Sequence, residues 1–184
     1  FTFTSIATQT SDNGGHDFIL AGPDDDIAIG GQDGDTIVGG SGNDDLIGGH
    51  NVANGHDGND SIEGSSGHDV IAGDNASVLR NPRATDARWK VLRGAQIHSG
   101  NGTPLVTATA QNNPNAVPLR DIVLFDHTFS TSGTVFGNDD LAGGSDSDLV
   151  FGQLGNDAIQ GDGTILSVSG SRTLDVRTSL TSID

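Results

Sequence analysis

The sequence contains no cysteine, no methionine and no tyrosine, and it has one tryptophan. Without cysteine, no disulfide can cross-link a small core. Only 33% of the 184 residues are hydrophobic and 4% are aromatic, so the chain can bury little apolar surface. No apolar run approaches the length of a membrane span, and no basic start followed by an apolar stretch marks a signal peptide. The fold therefore needs a source of stability other than a conventional core.

Positive charge is also scarce. Eight basic residues stand against 25 acidic ones, which gives a net charge of -17. Such a chain repels itself and stays unfolded unless its charge is neutralised. Nucleic acid and anionic membranes attract basic surfaces, so we predict no nucleic-acid partner and no membrane insertion. A cation is the partner that this composition favours.

The chain begins with Phe1 and not with methionine. We therefore expect it to be a piece of a longer protein, with the rest of that parent protein as its natural partner. On this interpretation, the missing signal peptide says little about export.

Glycine is abundant, and much of it lies in an internal repeat. Nearly the same nine letters occur twice in succession, as GGQDGDTIV and GGSGNDDLI, and both fit the pattern GGxGxDxUx, where U is a bulky aliphatic residue. The pattern's aspartate recurs in two blocks that are separated by other sequence, at a spacing of nine residues that slips by seven once, between Asp44 and Asp60. Its members are Asp17, Asp26, Asp35, Asp44, Asp60 and Asp69 in the first block, and Asp139, Asp148 and Asp157 in the second.

The letters of the repeat predict a turn followed by a short strand. Glycine and asparagine suit a tight turn because they tolerate positive φ, and Asp24, Asp33 and Asp146 replace glycine at the fourth letter at some cost. In the strand, only the middle residue points inward. Two nonapeptides then make one coil, and the fold predicted is all-β: a right-handed parallel β-roll with capping strands.

Stacking of the coils brings aspartates together. Turns on one edge recur every eighteen residues, so Asp17 is expected above Asp35, at a strand spacing of about 4.8 Å. Two carboxylates at that separation repel each other. A calcium ion binds oxygen at about 2.3–2.6 Å and can bridge them together with turn carbonyls, whereas magnesium and zinc fit this oxygen-rich geometry poorly. An Asp-Gly turn without any metal is the alternative for a single unit, but nine units in register favour calcium.

These repeats resemble the RTX family of calcium-binding nonapeptide proteins over Asp12–Asn75 and Thr134–Gly163. The resemblance implies a parallel β-roll, several bound calcium ions, and type I secretion of a larger bacterial protein to the extracellular space. It also implies that the ligands are the aspartates of the motif and its turn carbonyls. The predicted ligands are the nine aspartates above, with Asp162, Gly30, Gly31, Gly39, Gly40, Gly42, Gly58, Gly67, Gly137 and Gly155.

Several units depart from the pattern. AGPDDDIAI (Ala21–Ile29) lacks the first glycine and predicts a weaker site. The insertion HNVANGH (His50–His56) either loops out or spoils the pair of Asp35 with Asp60. In the second block only Asp139 and Asp157 stack with certainty, and Asp162 is the nearest partner for Asp148. His16 and His68 occupy the fifth letter and are expected to face solvent as neutral turn residues.

One alternative metal site lies outside the repeat. His50, His56 and Asp57 are close in sequence and could hold a transition metal. Two imidazoles on an insertion are weak support for such a site.

The blocks divide the chain into five parts. We predict an N-terminal strand at 1–11, a first roll at 12–76 that stops at the GDN of Gly73–Asn75, a capping insertion at 77–133, a second roll at 134–163 and strands at 164–184. Six basic and three acidic residues give 77–133 a net charge of +3, which leaves -20 for the rest. Strands are expected there at Trp89–Leu92, Leu105–Ala110 and Ile122–Phe125.

The predicted function is calcium-driven folding that supports the folding, secretion or stability of a larger extracellular protein. No sequence motif of a hydrolase, nucleotide-binding enzyme or haem protein occurs, so we expect no enzymatic activity in these residues. Two alternatives remain. The basic segment could bind a glycan or a cell surface, as in an adhesin, or the chain could be an accessory region of a secreted enzyme whose active site lies elsewhere.

Overall fold

The computed structural model describes residues 6–9, 14–85, 118–128, 130–168 and 171–174. The chain divides into two compact units, one made of residues 1–77 and 123–184 and the other of residues 78–122. The first unit contains all of the repeats. Among the described residues, no helix is long and apolar enough to cross a membrane.

The repeats form two sheets in which all neighbouring strands are parallel. Successive nonapeptides contribute a strand alternately to each sheet, because two nonapeptides complete one coil. The five-stranded sheet has the order β1 (Phe18–Pro23), β3 (Thr36–Ser41), β5 (Ser61–Ser66), β9 (Asp140–Ser145), β11 (Ala158–Asp162). The four-stranded sheet has the order β10 (Leu149–Phe151), β6 (Val70–Ala72), β4 (Asp45–Ile47), β2 (Ile27–Ile29). The all-β parallel roll predicted from the sequence is confirmed.

The core between the sheets consists of the aliphatic letter of the repeat. One side chain from each strand points inward, and those from the two sheets meet in a layer one side chain thick. Its fully buried members are Ile37, Leu46, Ile62, Ile71 and Leu141, with Ala28 close behind at 5% exposure and Ile19 and Val150 packed at the ends. A core this narrow gives too little hydrophobic stabilisation to hold the sheets together alone.

The two blocks of repeats form one roll and not two. Ile62 of the first block pairs with Leu141 of the second, and Ile71 pairs with Val150 in the other sheet. The expectation of two separate rolls is therefore corrected. In each sheet, the last strand of the first block presents unpaired backbone groups, and the second block has the register to satisfy them.

The two blocks can join because each insertion divides a nonapeptide after its second letter, at Gly49 in the first case and at Asp74 in the second. The amides of Gly30 and Gly48 each open a turn by donating to the next coil, to Ile47 and Ala72 respectively, and Gly73 donates to Phe151 in the same way. Gly73 is thus the first letter of the nonapeptide that ends at the strand after Asp139. The sequence GDN is half a turn, and the interpretation of it as a stop was wrong.

The insertions leave the same edge of the roll and are tied together there. One runs from His50 to His56 and the other from Asn75 to Val135. The Asn75 side-chain amide donates to the carbonyls of Gly55 and Val135 at 2.9 and 3.3 Å, and the amide of Phe125 donates to the Asn75 carbonyl at 2.9 Å. The short insertion therefore loops out without disturbing the coils, and the second resumes in register.

Two further pairs of strands lie outside the parallel sheets. β7 (Ala76–Thr85) and β8 (Pro118–Leu124) form a two-stranded sheet, and β12 (Ile165–Val168) pairs antiparallel with β13 (Ser171–Leu174). The strand predicted at Ile122–Phe125 is confirmed by β8. The strands predicted at Trp89–Leu92 and Leu105–Ala110, and most of the strand predicted at 1–11, lie outside the described residues.

The turns contain non-glycine residues in the left-handed region. Asp24, Asp33 and Asp146, at the fourth letter, have φ of 77°, 64° and 79°, which confirms the prediction for these positions. Ser65 and Gln153 replace the second glycine and have φ of 79° and 69°. A β-carbon is unfavourable in this region, so these two turns are strained.

Replacing Ser65 with glycine should relieve that strain. We expect Ser65→Gly to raise the free energy of unfolding of the calcium-loaded chain by about 1 kcal/mol, as measured by urea denaturation. Ser66→Gly is the matched control, because Ser66 does not have positive φ. The control should lose about 0.5–1 kcal/mol through backbone entropy. A loss in both variants would contradict the assignment of strain to Ser65.

Candidate metal centres

The motif aspartates form two vertical files, one along each edge of the roll. In each file, the backbone amide of one aspartate donates a hydrogen bond to the Oδ1 atom of the aspartate in the next coil. The first file links Asp17, Asp35, Asp60, Asp139 and Asp157 through bonds of 2.7, 2.7, 2.9 and 3.1 Å. The second links Asp26, Asp44, Asp69 and Asp148 through bonds of 2.8, 2.8 and 3.0 Å.

The files show where the structure places the predicted aspartates. Asp17 and Asp35 stack as expected, and the pair of Asp35 with Asp60 survives the short insertion. The predicted stacking of Asp139 with Asp157 in the second block is confirmed, and Asp139 also stacks on Asp60 across the join, which was not predicted. Asp148 likewise stacks on Asp69, and Asp162 lies close enough to help raise the pKa of Asp148.

The second carboxylate oxygen is the unusual feature of the first file. Asp35, Asp60 and Asp139 are at most 1% exposed, and the Oδ2 atom of each is buried with no hydrogen-bond partner. A charged carboxylate oxygen that is buried without a partner destabilises the fold by on the order of several kcal/mol, because the charge has lost its hydration. Something must compensate for these oxygens in the folded protein.

Each of these oxygens lies so close to a first-letter glycine that a β-carbon at that position would overlap it. A β-carbon added at Gly30 would lie closer than 3.0 Å both to Asp35 Oδ2 and to the Gly48 carbonyl oxygen. At Gly48, a β-carbon would overlap Asp60 Oδ2 and the Gly73 carbonyl in the same way. The first glycine of the repeat thus allows carboxylate and carbonyl oxygens from two coils to approach its α-carbon closely.

The second file repeats this arrangement on the other edge. The space at Gly39 is bordered by Asp44 Oδ2 and the Gly64 carbonyl, and the space at Gly64 by Asp69 Oδ2 and the Gly143 carbonyl. At Gly143 the neighbours are Asp148 Oδ2 and the Gly161 carbonyl. In AGPDDDIAI, Ala21 stands where the later units have this glycine, and the weaker site expected there stays a prediction.

The carboxyl groups titrate as expected for buried acids in a field of like charge. Burial, with smaller contributions from neighbouring aspartates, raises the pKa of Asp35 to about 6 and that of Asp139 to about 8, although the backbone amides that donate to them oppose the shift. Burial also raises the pKa of Asp57 and of Asp60, which repel each other. Burial raises the pKa of Asp74 to about 7, although the amides of Gly137 and Leu154 donate to its carboxylate and oppose the shift.

The donor set fits calcium. Carboxylate and carbonyl oxygens are hard ligands, and calcium accepts six to eight of them in flexible geometry. Zinc prefers nitrogen and sulfur in a tetrahedral arrangement. Within the described residues, no three histidine, cysteine, aspartate or glutamate side chains converge on one point, so the transition-metal site at His50, His56 and Asp57 is not formed. Calcium ligands here must include backbone oxygens.

The structure also places the predicted glycines. Gly30 lies against the Oδ2 atom of Asp35, and Gly39 lies against that of Asp44. Gly40, Gly42, Gly67, Gly137 and Gly155 instead allow close approach of adjacent turns, because a β-carbon at each would overlap a backbone carbonyl of the neighbouring coil. A β-carbon at Gly58 would likewise meet the backbone of Asp33, and Gly31 lies beside the ring of His50. The role of these seven glycines as carbonyl ligands stays a prediction.

The sequence analysis missed other glycines that lie against the motif carboxylates. The first-letter glycines that it left out are Gly48, Gly64, Gly73, Gly143 and Gly152. The signal was present, since every nonapeptide after Ala21–Ile29 opens with glycine once the GG at Gly48 and the GD at Gly73 are read as split units.

The fifth letter forms a second ladder beside the aspartates. The amide of Asn138 donates to Asn59 Oδ1 at 2.7 Å, and that of Asn156 donates to Asn138 Oδ1 at 2.8 Å. The amide of His68 donates to Asn43 Oδ1 on the other edge, and His68 is only 7% exposed. The expectation that His68 faces solvent was therefore wrong, because fifth-letter side chains stack, whereas His16 at the end of the roll is exposed.

Comparison with known proteins agrees with this geometry. Residues 11–46, 47–76 and 135–163 match the family described as RTX calcium-binding nonapeptide repeat (4 copies). The matched residues are slightly more than half of the chain. The protein belongs to the RTX family. It is a calcium-binding protein whose repeats build the parallel roll described above. Comparison with curated proteins and with solved structures found no match.

The raised pKa values predict that protons can partly replace calcium. Carboxyls with a raised pKa in the metal-free fold stabilise it below their ordinary value near 3.8, and this stability is lost as pH rises through about 6 to about 8. In chelator, we therefore expect the far-UV strand signal of the RTX chain to decrease between pH about 4 and about 8. The calcium-loaded chain is the control and should change little. Equal signals at both pH values in chelator would contradict the prediction.

Proposed function

We propose that this RTX chain is a module that folds when it meets extracellular calcium and so supports the folding, secretion or stability of a larger protein. The observation that carries the proposal is the file of buried Oδ2 atoms of Asp35, Asp60 and Asp139, which have no hydrogen-bond partner in the protein. A fold that leaves such oxygens buried requires a cation to be stable.

Charge supports the same conclusion. No lysine or arginine occurs in residues 1–79 or 121–171, so the sequence supplies no basic side chain from the repeats themselves. The files place carboxylates one coil apart along both edges. Calcium ions between coils convert this repulsion into cross-links, and their binding energy becomes folding energy.

The compartment follows from the affinity expected of such sites. Extracellular calcium modules bind at about 10⁻⁴ to 10⁻³ M, which is far above the calcium concentration inside a cell. The chain would thus remain unfolded and able to pass through a secretion channel, such as that of type I secretion, and fold outside. RTX repeat proteins are generally secreted. We propose the extracellular space for this chain and no enzymatic activity of its own.

Circular dichroism with and without chelator tests the proposal. In millimolar calcium the whole chain should show a strand spectrum, and in EGTA it should show the spectrum of an unfolded chain at neutral pH. Magnesium at equal concentration is the control and should not restore the strands, because it requires shorter bonds and stricter geometry. A strand signal that persists in EGTA would refute calcium-driven folding.

A second candidate function rests on the net positive charge of 77–133. In an otherwise acidic chain, this segment could bind an anionic glycan or surface, as an adhesin does. Arg120 is 8% exposed, so Arg88, Lys90 and Arg93 are the residues to test, and they lie outside the described part of the chain. Reversing these three charges to glutamate should abolish binding to heparin-coated beads and leave calcium-dependent folding unchanged. Unchanged retention would eliminate this candidate.

A further inference from the structure

The turn split by the short insertion contains oxygen atoms that the other turns lack. In ordinary units, a β-carbon at the second glycine would meet a backbone carbonyl of the neighbouring coil, as at Gly40 and Gly144. At Gly49, the second letter of the split turn, it would instead meet two side-chain oxygens, Asp57 Oδ2 at 2.5 Å and Asn75 Oδ1 at 2.7 Å. Neither residue is a motif aspartate.

Further oxygen atoms lie close to Gly48, the residue before Gly49. The space at Gly48 is bordered by Asp60 Oδ2 and the Gly73 carbonyl, and Gly49 follows directly in the chain. Two carboxylates, one side-chain amide and one backbone carbonyl therefore surround the Gly48–Gly49 peptide, and we call these four oxygens the split-turn cluster.

Each carboxylate of the split-turn cluster has one buried oxygen atom without a hydrogen-bond partner in the protein. Asp60 is 1% exposed, and its Oδ2 atom, which points into the cluster, is buried with no hydrogen-bond partner. The Oδ2 atom of Asp57 is also buried without one. Two neighbouring buried carboxylate oxygens in this state demand a cation or a proton between them.

The surrounding hydrogen bonds hold the oxygens in place. Asp57 uses its Oδ1 atom to accept from the amide of Gly58 at 2.8 Å, which leaves Oδ2 directed at Gly49. The Asn75 amide nitrogen donates to Gly55 and Val135, so its Oδ1 atom also faces Gly49, where the amide of His50 donates to it. The oxygens are therefore preorganised by the two insertions, which would reduce the cost of binding.

We propose that the split-turn cluster binds a calcium ion with two additional ligands that are not motif aspartates, the side chains of Asp57 and Asn75. This inference takes from the proposed function only the identity of the cation. The ion joins Asp57, the residue that directly follows the short insertion, to Asn75, the first residue of the long insertion. It therefore fixes the bases of both insertions to the roll, which the periodic ions do not do.

Counting bound ions in variants of the whole chain tests the proposal. By native mass spectrometry in calcium, Asp57→Asn should carry one ion fewer than the wild type, because the site loses a charged ligand. Asp24→Asn is the matched control, since Asp24 is exposed and has no place in any cavity. It should bind as many ions as the wild type. An unchanged count in Asp57→Asn would overturn the proposal.

A second variant tests the space itself. Gly49→Ala would place a methyl group against Asp57 Oδ2 and Asn75 Oδ1, and it should also lose one ion. Gly15→Ala is its control, because a β-carbon at Gly15 meets nothing within 4 Å. A full ion count in Gly49→Ala would count against the site.

Crystals of the wild-type chain grown in calcium give a measurement that does not depend on the folding of any variant. An anomalous peak at about 2.3–2.6 Å from Asp57 Oδ2 and Asn75 Oδ1 is expected. Peaks along the aspartate files with none at Gly49 would overturn this inference and leave the proposed function intact. Absence of all peaks would overturn both.

Discussion

The repulsion between aspartates stacked in successive coils is the constraint on which the rest of the structure depends. From the second coil onward, one carboxylate oxygen of each motif aspartate accepts from the coil before it, and in Asp35, Asp60 and Asp139 the other is buried and unsatisfied. The thin aliphatic core cannot offset several such groups. Folding is therefore tied to a cation, and the repeat is a device for bringing oxygen atoms together at a fixed spacing.

Each letter of the repeat has a separate physical task in meeting that constraint. The first glycine lets the carboxylate approach the backbone closely, as Gly48 does for Asp60. In the uninterrupted units from Ala21 onward, the second and fourth letters adopt positive φ so that the chain can turn sharply, and the fifth letter stacks amides into a ladder. Only one residue in nine is needed for the core. The composition that at first suggests an unfolded chain is the composition that this division of tasks requires.

The sequence alone predicted the periodic part of the molecule well. A spacing of eighteen residues is enough to place Asp17 on Asp35, and strand alternation is enough to place Ile37 and Leu46 in the core. It did not predict that the blocks join, because a nonapeptide split between Asp74 and Phe136 looks like an end and a new start. Nor does periodicity reveal that the outward-pointing Ile47 and Val70 are buried, at 2% and 1% exposure. Such features depend on residues that meet only after the chain has folded.

The position of the two insertions has a consequence for how such proteins can change. Asp60 and Asp139 are stacked neighbours although 79 positions separate them, whereas neighbours in an uninterrupted file are 18 apart. By the logarithmic dependence of chain closure on length, the longer excursion costs only about 1 kcal/mol more. An excursion from this turn can therefore lengthen greatly at little thermodynamic expense. The edge of the roll is a place where new sequence, even a whole foreign domain, can be grafted without altering the scaffold beneath it.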